Sequence, residues 1–151
     1  MKFLPKFRSL KPVGRRLLLR VTFALPLTAL GLRILGFGRV YAALERLSRR
    51  ASPSPEREAR QVKGVRHMIR YAAQHGPYRG NCLSRSLVLW WMLRRRGIES
   101  DLRIGVRRDG EDFDAHAWVE YQGRPLNASE QVHEKYAAFD EPVLPRGARF
   151  V

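Results

Sequence analysis

The chain is 151 residues long, 44% hydrophobic, and carries 29 Lys and Arg against 14 Asp and Glu, a formal net charge of +15. That length and apolar content suit one domain with a real core and exclude wholesale disorder. A single cysteine excludes an internal disulfide and a thiolate zinc cluster, and four histidines without tight ligand spacing make a metal site unexpected. The charge favours an acidic partner. No nucleic-acid-binding motif accompanies it, so no nucleic acid is expected among the partners.

In chain order, residues 1–12 hold two prolines and scattered basic residues and read as a loose arm. Residues 13–49 follow a helical pattern, with a weak point at Pro26 and glycines at 31, 36 and 38. Residues 1–50 carry 12 Lys or Arg and one Glu, so much of the excess charge lies there. The stretch "LLLRVTFALPLTALGLRILGFG" is rich in apolar residues, but Arg20 and Arg33 bound an uncharged run of only 12. A membrane-spanning helix needs about 20 apolar residues. A convincing small-residue cleavage site is also missing. The stretch therefore reads as a helix kinked at Pro26 and packed on the domain or a partner, with a helix lying on a membrane surface as the alternative.

"ASPSP", 51–55, reads as a linker between a basic N-terminal helical segment, 1–50, and a core, 51–151. It also starts a helix well. Ser54 suits the cap, Pro55 the first helical position, and Glu56 the positive end. Val62, Val65, Ile69 and Ala72 then form one apolar face, and Gly76 and Pro77 end the helix. "GPYRGN", 76–81, is a loop. Leu87 to Leu93 are seven consecutive apolar residues, the mark of a buried helix. Arg94, Arg95, Arg96 and Gly97 suit its C-terminal end. Cys82 thus falls in the first turn of a central helix.

The period then changes to two. Leu102, Ile104 and Val106 alternate with Arg103, Gly105 and Arg107, a strand. "FDAHAWVEY", 113–121, is a second strand with His116, Trp118 and Glu120 on one face. "QG" makes a tight turn into "RPLN", a third short strand, and the short connections require antiparallel pairing. A short helix falls within 129–138, followed by a Pro-rich tail.

A cysteine in a helix's first turn faces unpaired N–H groups and the positive end of the dipole, both of which favour thiolate, the nucleophilic form. His116 on a neighbouring strand supplies a base and acid. Asn127, brought back alongside by the turn, is the candidate orienter of the imidazole. Cys on a helix start, His on one strand and an orienter on the next is the layout of papain-like and transglutaminase-like enzymes, an α+β fold. Against this stands the plain alternative of a small buried cysteine and a structural histidine. The backbone N–H of Cys82 is the better oxyanion donor, and Gln74 the poorer one because of its helix position. Trp90, Trp91 and Trp118 read as core. Trp118, on the His116 face, is placed to shield the imidazole. Ser84 and Ser86 read as polar helix positions. Arg85 reads equally as a holder of a substrate carboxylate and as a surface pair. His67 reads as solvated, and His75 and His133 have no evident role.

Residues 81–127, with "CLSRSL", "LRRRGI", "LRIGV" and "AHAWVEYQGRPLN" in that order, resemble the lasso peptide biosynthesis B2 proteins. These are leader peptidases with a transglutaminase-like cysteine protease core. The resemblance implies removal of the leader from a ribosomally made precursor peptide by Cys–His thioester chemistry, with Cys82 and His116 catalytic. It implies a separate leader-recognition (B1) protein and a lasso cyclase as partners, with any ATP use belonging to the cyclase. No cofactor is expected for this chain. The expected compartment is the bacterial cytoplasm, with membrane association as an addition. One departure stands out: the family usually has Asp just after its "LN" pair, twelve residues beyond the His, and here that position is Ala128. Asn127 as orienter, Asp140 or Glu130 reaching in from the tail, and a bare Cys82–His116 dyad are the three readings. The alternative function is a catalytically impaired protease fold that docks peptide or cyclase.

Overall fold

The computed structural model describes residues 10–48, 53–109 and 112–139. Helix α1 spans Pro12–Leu35 and α2 Phe37–Arg46; they are separated at Gly36, whose φ of 78° no other residue type adopts readily. Helix α3 spans Pro55–His75 and α4 Cys82–Arg94. Strands β1, Asp101–Asp109, and β2, Asp112–Tyr121, form the main antiparallel pair. Two-residue strand β3, Arg124–Pro125, one-turn helix α5, Val132–Lys135, and strand β4, Ala137–Ala138, complete the order. The sheet runs β3-β2-β1-β4, with all pairs antiparallel.

Helix α4 is the centre of the molecule. Leu87, Val88, Leu89 and Leu93 are fully buried, and Trp90 nearly so, because α1 and α3 pack on one side of the helix and β2 and β1 on the other. Arg96 donates to the Met92 carbonyl and Ile98 N–H to the Leu93 carbonyl, which closes the C-terminal turn as the Arg and Gly residues there indicate. Tyr41 of α2 stacks on Trp90, ring centroids 4.6 Å apart.

The N-terminal region packs on the rest of the chain. Helix α1 runs unbroken through Pro26. A proline inside a helix costs about 3 kcal/mol, but Leu18, Val21 and Leu25 before it and Thr28 after it are all buried, so packing offsets the penalty and the helix continues. Leu18, Val21 and Leu25 share one core with Val65, Ile69, Leu87 and Ile104. Composition changes near residue 50, whereas packing is continuous across the two segments. At the start of α3, Ser54 occupies the cap position with no side-chain capping bond; Pro55 sits at the first helical position as expected.

Strand alternation holds as read. Leu102, Ile104, Ala117 and Val119 face α4 and the core. Arg103, Gly105, His116, Trp118 and Glu120 face the other way. On that second face Glu120, though buried, accepts from Trp118 Nε1 at 2.8 Å and Arg103 Nε at 3.3 Å, and lies 3.2 Å from His133 Nε2. His133, without a role in the sequence, thereby ties α5 to the sheet. The third strand is shorter than "RPLN", only Arg124–Pro125, entered through Gln122 and Gly123, which both have positive φ.

Candidate active site

Cys82 is the first residue of α4. Asn81 caps the helix, its Oδ1 accepting from Ser84 N–H at 2.8 Å. This holds the chain so that the Cys82 side chain emerges from the first turn, half-buried, with its thiol directed at the Ala115 carbonyl 3.9 Å away.

Strand β3 pairs with Glu120 and Tyr121 and Leu126 N–H donates to the Val119 carbonyl; before that point side chains meet the outer edge of β2. Ser86, one turn beyond Cys82 and fully buried, donates to the Ala117 carbonyl at 2.8 Å. Asn127 Nδ2 donates to Ser86 Oγ at 2.8 Å, and Asn127 Oδ1 accepts from Val119 N–H at 2.8 Å. Residues 82 and 86 of the helix thus lie along residues 115 and 117 of the strand. The start of α4 takes the place of a neighbouring strand.

His116 stands on β2 between these contacts. Its ring stacks on Tyr136 at 5.2 Å and on Trp118 at 6.2 Å. Burial pushes the imidazole below its ordinary value of 6.5; the Asp114 carboxylate opposes that shift and the Arg85 guanidinium adds to it. The neutral, proton-accepting ring is therefore the dominant form at pH 7. Asp114 in turn accepts from the Tyr136 hydroxyl at 2.7 Å and pairs with Arg107 at 3.5 Å. Among the described residues no hydrogen bond reaches the imidazole, and aromatic stacking sets its plane.

Cys82 and His116 open into one cleft of about 450 Å³, also lined by Arg66, Arg70, Gln74, Arg85, Asn127 and Ala128. Asn127 therefore reaches the site, where among the described residues its amide bonds to Val119 and Ser86 rather than to the imidazole. Its Oδ1 and Nδ2 each make one hydrogen bond, to Val119 N–H and Ser86 Oγ, which fixes the amide plane and leaves one lone pair and one N–H over. Glu130 is exposed and does not line the cleft. Asp140 lies outside the described residues. Ala128 lines the cleft beside Asn127, where the resemblance leads one to expect a carboxylate. Gln74, from the last turn of α3, faces the cleft despite the objection raised from its helix position. Tyr136 is the residue sequence reasoning missed. Its aromatic character inside a short helical stretch was the available signal, but its position depends on β4 pairing with β1.

A helix that presents a cysteine from its first turn to an antiparallel strand bearing a histidine is a transglutaminase-like arrangement. The family comparison agrees: the model of the transglutaminase-like superfamily matches residues 24–140. The chain belongs to the transglutaminase-like superfamily. The match begins within α1 and covers every later element, so the N-terminal helices are largely inside the family domain. Compared with curated proteins and with solved structures, this transglutaminase-like chain gives no match. The superfamily includes cysteine proteases. That is the chemistry for which a cysteine and a histidine in one cleft are suited.

Proposed function

We propose that this protein is a cysteine peptidase that removes the leader from a ribosomally synthesised lasso precursor peptide. The observation that carries the reading is the shared cleft: Cys82, from the start of the buried helix, and His116, from the strand that helix lies against, line the same opening. The finer assignment, from superfamily to lasso leader peptidase, rests on the sequence resemblance over residues 81–127.

In the reaction, His116 takes the thiol proton and the Cys82 sulfur attacks the carbonyl carbon of the scissile amide. The negative oxygen that develops is met by the Cys82 N–H, one of the donors that the first turn of a helix leaves free, and by the Gln74 amide. The C–N bond breaks, His116 returns the proton to the leaving amine, and a thioester remains on Cys82. His116 then deprotonates water, which attacks the thioester and releases the acid and the thiol. An amine in place of that water would give acyl transfer by the same route.

The leader is presented by a separate leader-recognition protein, and the freed core passes to the lasso cyclase in the cytoplasm. Arg66, Arg70 and Arg85 supply the positive charge around the cleft, which favours peptide segments bearing carboxylates. One observation favours a second reading. Ala128 leaves no carboxylate at the family's third position, consistent with an impaired protease fold retained to dock peptide or cyclase. Loss of an orienting residue lowers but does not erase hydrolase activity, and the stacked Tyr136 and Trp118 already hold the imidazole.

Mass spectrometry of the precursor peptide incubated with this protein and the leader-binding partner separates the readings. Wild type, Cys82→Ala and Ala128→Asp run side by side. Leader release by wild type and Ala128→Asp, abolished in Cys82→Ala, is the expected result. Release by Ala128→Asp alone would favour the docking role.

A further inference from the structure

Helix α1 has two apolar faces. Leu18, Val21 and Leu25 are buried against the core. On the other side Leu19, Phe23, Leu27, Leu30 and Ile34 recur at intervals of three or four residues and so share one face. They are 41%, 70%, 71%, 54% and 69% exposed. The stripe is about 22 Å long at 1.5 Å per residue. It exposes on the order of 500 Å² of apolar surface, within the range at which a patch on a monomer is often functional.

Its surroundings indicate the occupant. Arg15, Arg16 and Arg20 are exposed at the N-terminal end of the stripe and Arg33 beside Ile34, and no Asp or Glu occurs between Pro12 and Leu35. Between Arg20 and Arg33 the outward face offers no hydrogen-bonding side chain. Thr22 is turned onto the Leu18 carbonyl at 2.8 Å and Thr28 is buried. A protein partner of this size would be expected to make several hydrogen bonds across the contact. A lipid surface needs none in its apolar layer and supplies phosphates at its rim. By length and composition the helix is also apolar enough to cross a membrane. Crossing would pull Leu18, Val21 and Leu25 out of the core and strip the faces of α3 and α4 that they cover.

We infer that α1 seats this protein in the plane of an anionic lipid surface, with the Leu19–Phe23–Leu27–Leu30–Ile34 stripe in the headgroup–acyl boundary and the flanking arginines on lipid phosphates. The inference is independent of the peptidase reading, because Cys82 lies on a different helix and plays no part in it.

Vesicle flotation of the full chain tests it, since aggregates sink and only lipid-bound protein rises. Wild type and Cys82→Ala should float with phosphatidylglycerol-containing vesicles at least about tenfold better than with pure phosphatidylcholine, and alkaline carbonate should release them. Phe23→Gln/Leu27→Gln/Leu30→Gln, with exposed positions changed to a good helix former, should keep the wild-type melting temperature and lose flotation. Should that triple variant fold poorly, Leu27→Gln alone gives the same readout with a several-fold loss. Arg16→Glu/Arg20→Glu should lose the preference for anionic lipid. A folded wild type that fails to float overturns the inference and returns the stripe to a protein partner. Flotation unchanged in the Gln variants, or binding that resists carbonate, also overturns it.

Discussion

Ser86 on α4 donates its hydroxyl proton to the carbonyl of Ala117, the residue that follows His116 on β2, at 2.8 Å. One turn earlier on the same helix is Cys82. This bond therefore sets the depth at which the cysteine-bearing helix lies against the histidine-bearing strand. Asn127 completes it by donating to Ser86 and accepting from Val119 N–H. Removing either partner leaves a buried polar group unsatisfied, a cost of about 1–3 kcal/mol. Ser86→Ala and Asn127→Ala should each lower the melting temperature, by roughly 2–4 °C per kcal/mol. They should couple in a double-mutant cycle, the pair costing less than the sum. Additive effects in thermal unfolding would mean that the two residues do not form one network.

The pH dependence of cleavage should carry the imprint of His116. Burial lowers its pKa from 6.5, so the basic, neutral form persists below that value. The acid limb of kcat/KM should fall below pH 6.5 rather than at it. The same shift links to stability. Between 6.5 and the lower folded value the unfolded chain binds the extra proton, so stability is present above 6.5 and is lost as pH falls through the folded value. His116→Gln should flatten that part of the stability profile. The ring is only half-buried, so the amplitude is small. An acid limb above 6.5 would contradict the burial argument.

Gly105 pairs with His116 across the sheet, on the face that carries the aromatic cluster. A Cβ there would come within 2.9 Å of both Trp118 and Tyr136. The Trp118 ring is fully buried and the Tyr136 atom met is its Cβ, so relief of the clash must shift both residues. Gly105→Ala should cost about 1–3 kcal/mol by overpacking. It should also depress kcat more than KM, because the two displaced residues are those stacked on the imidazole. Thermal unfolding and steady-state kinetics on the precursor peptide measure the two effects. A variant with wild-type kinetics would remove Tyr136 and Trp118 from the positioning role.

Arg66 and Arg70 lie on one face of α3 at the rim of the cleft, and both are exposed. Reversing them should leave the fold unchanged within about 0.5 kcal/mol, as is usual for surface sites. Arg66→Glu/Arg70→Glu should raise KM for an acidic precursor several-fold at low salt, with the difference shrinking as salt rises and screening grows. Unchanged KM at low ionic strength would place peptide recognition elsewhere.

The readings that held were those set by neighbours in the chain. Leu87 to Leu93 had to be buried because a helix apolar on all sides has no solvent face. The start of that helix at Cys82 followed from the loop before it, and His116, Trp118 and Glu120 fell on one face because strand side chains alternate. What local pattern left open involves energies from distant residues. Pro26 carries a local penalty that the packing of Leu18, Val21, Leu25 and Thr28 outweighs. Asn127 ties helix to strand because the edge of β2 and the Ser86 hydroxyl each share one hydrogen bond with its amide. Tyr136 approaches His116 because β4 pairs with β1, a contact no local pattern announces.

The sequence by itself determined the main helices and the β1–β2 pair, their order, and the chemistry available to them, since periodicity and the single cysteine are local properties. Only the tertiary structure decided which groups meet: Cys82 and His116 in one cleft, Asn127 holding helix to strand, Tyr136 on the imidazole, and an apolar stripe of α1 facing outward. Each of these depends on long-range packing, in which burying one face of an element commits its other face to solvent, partner or lipid.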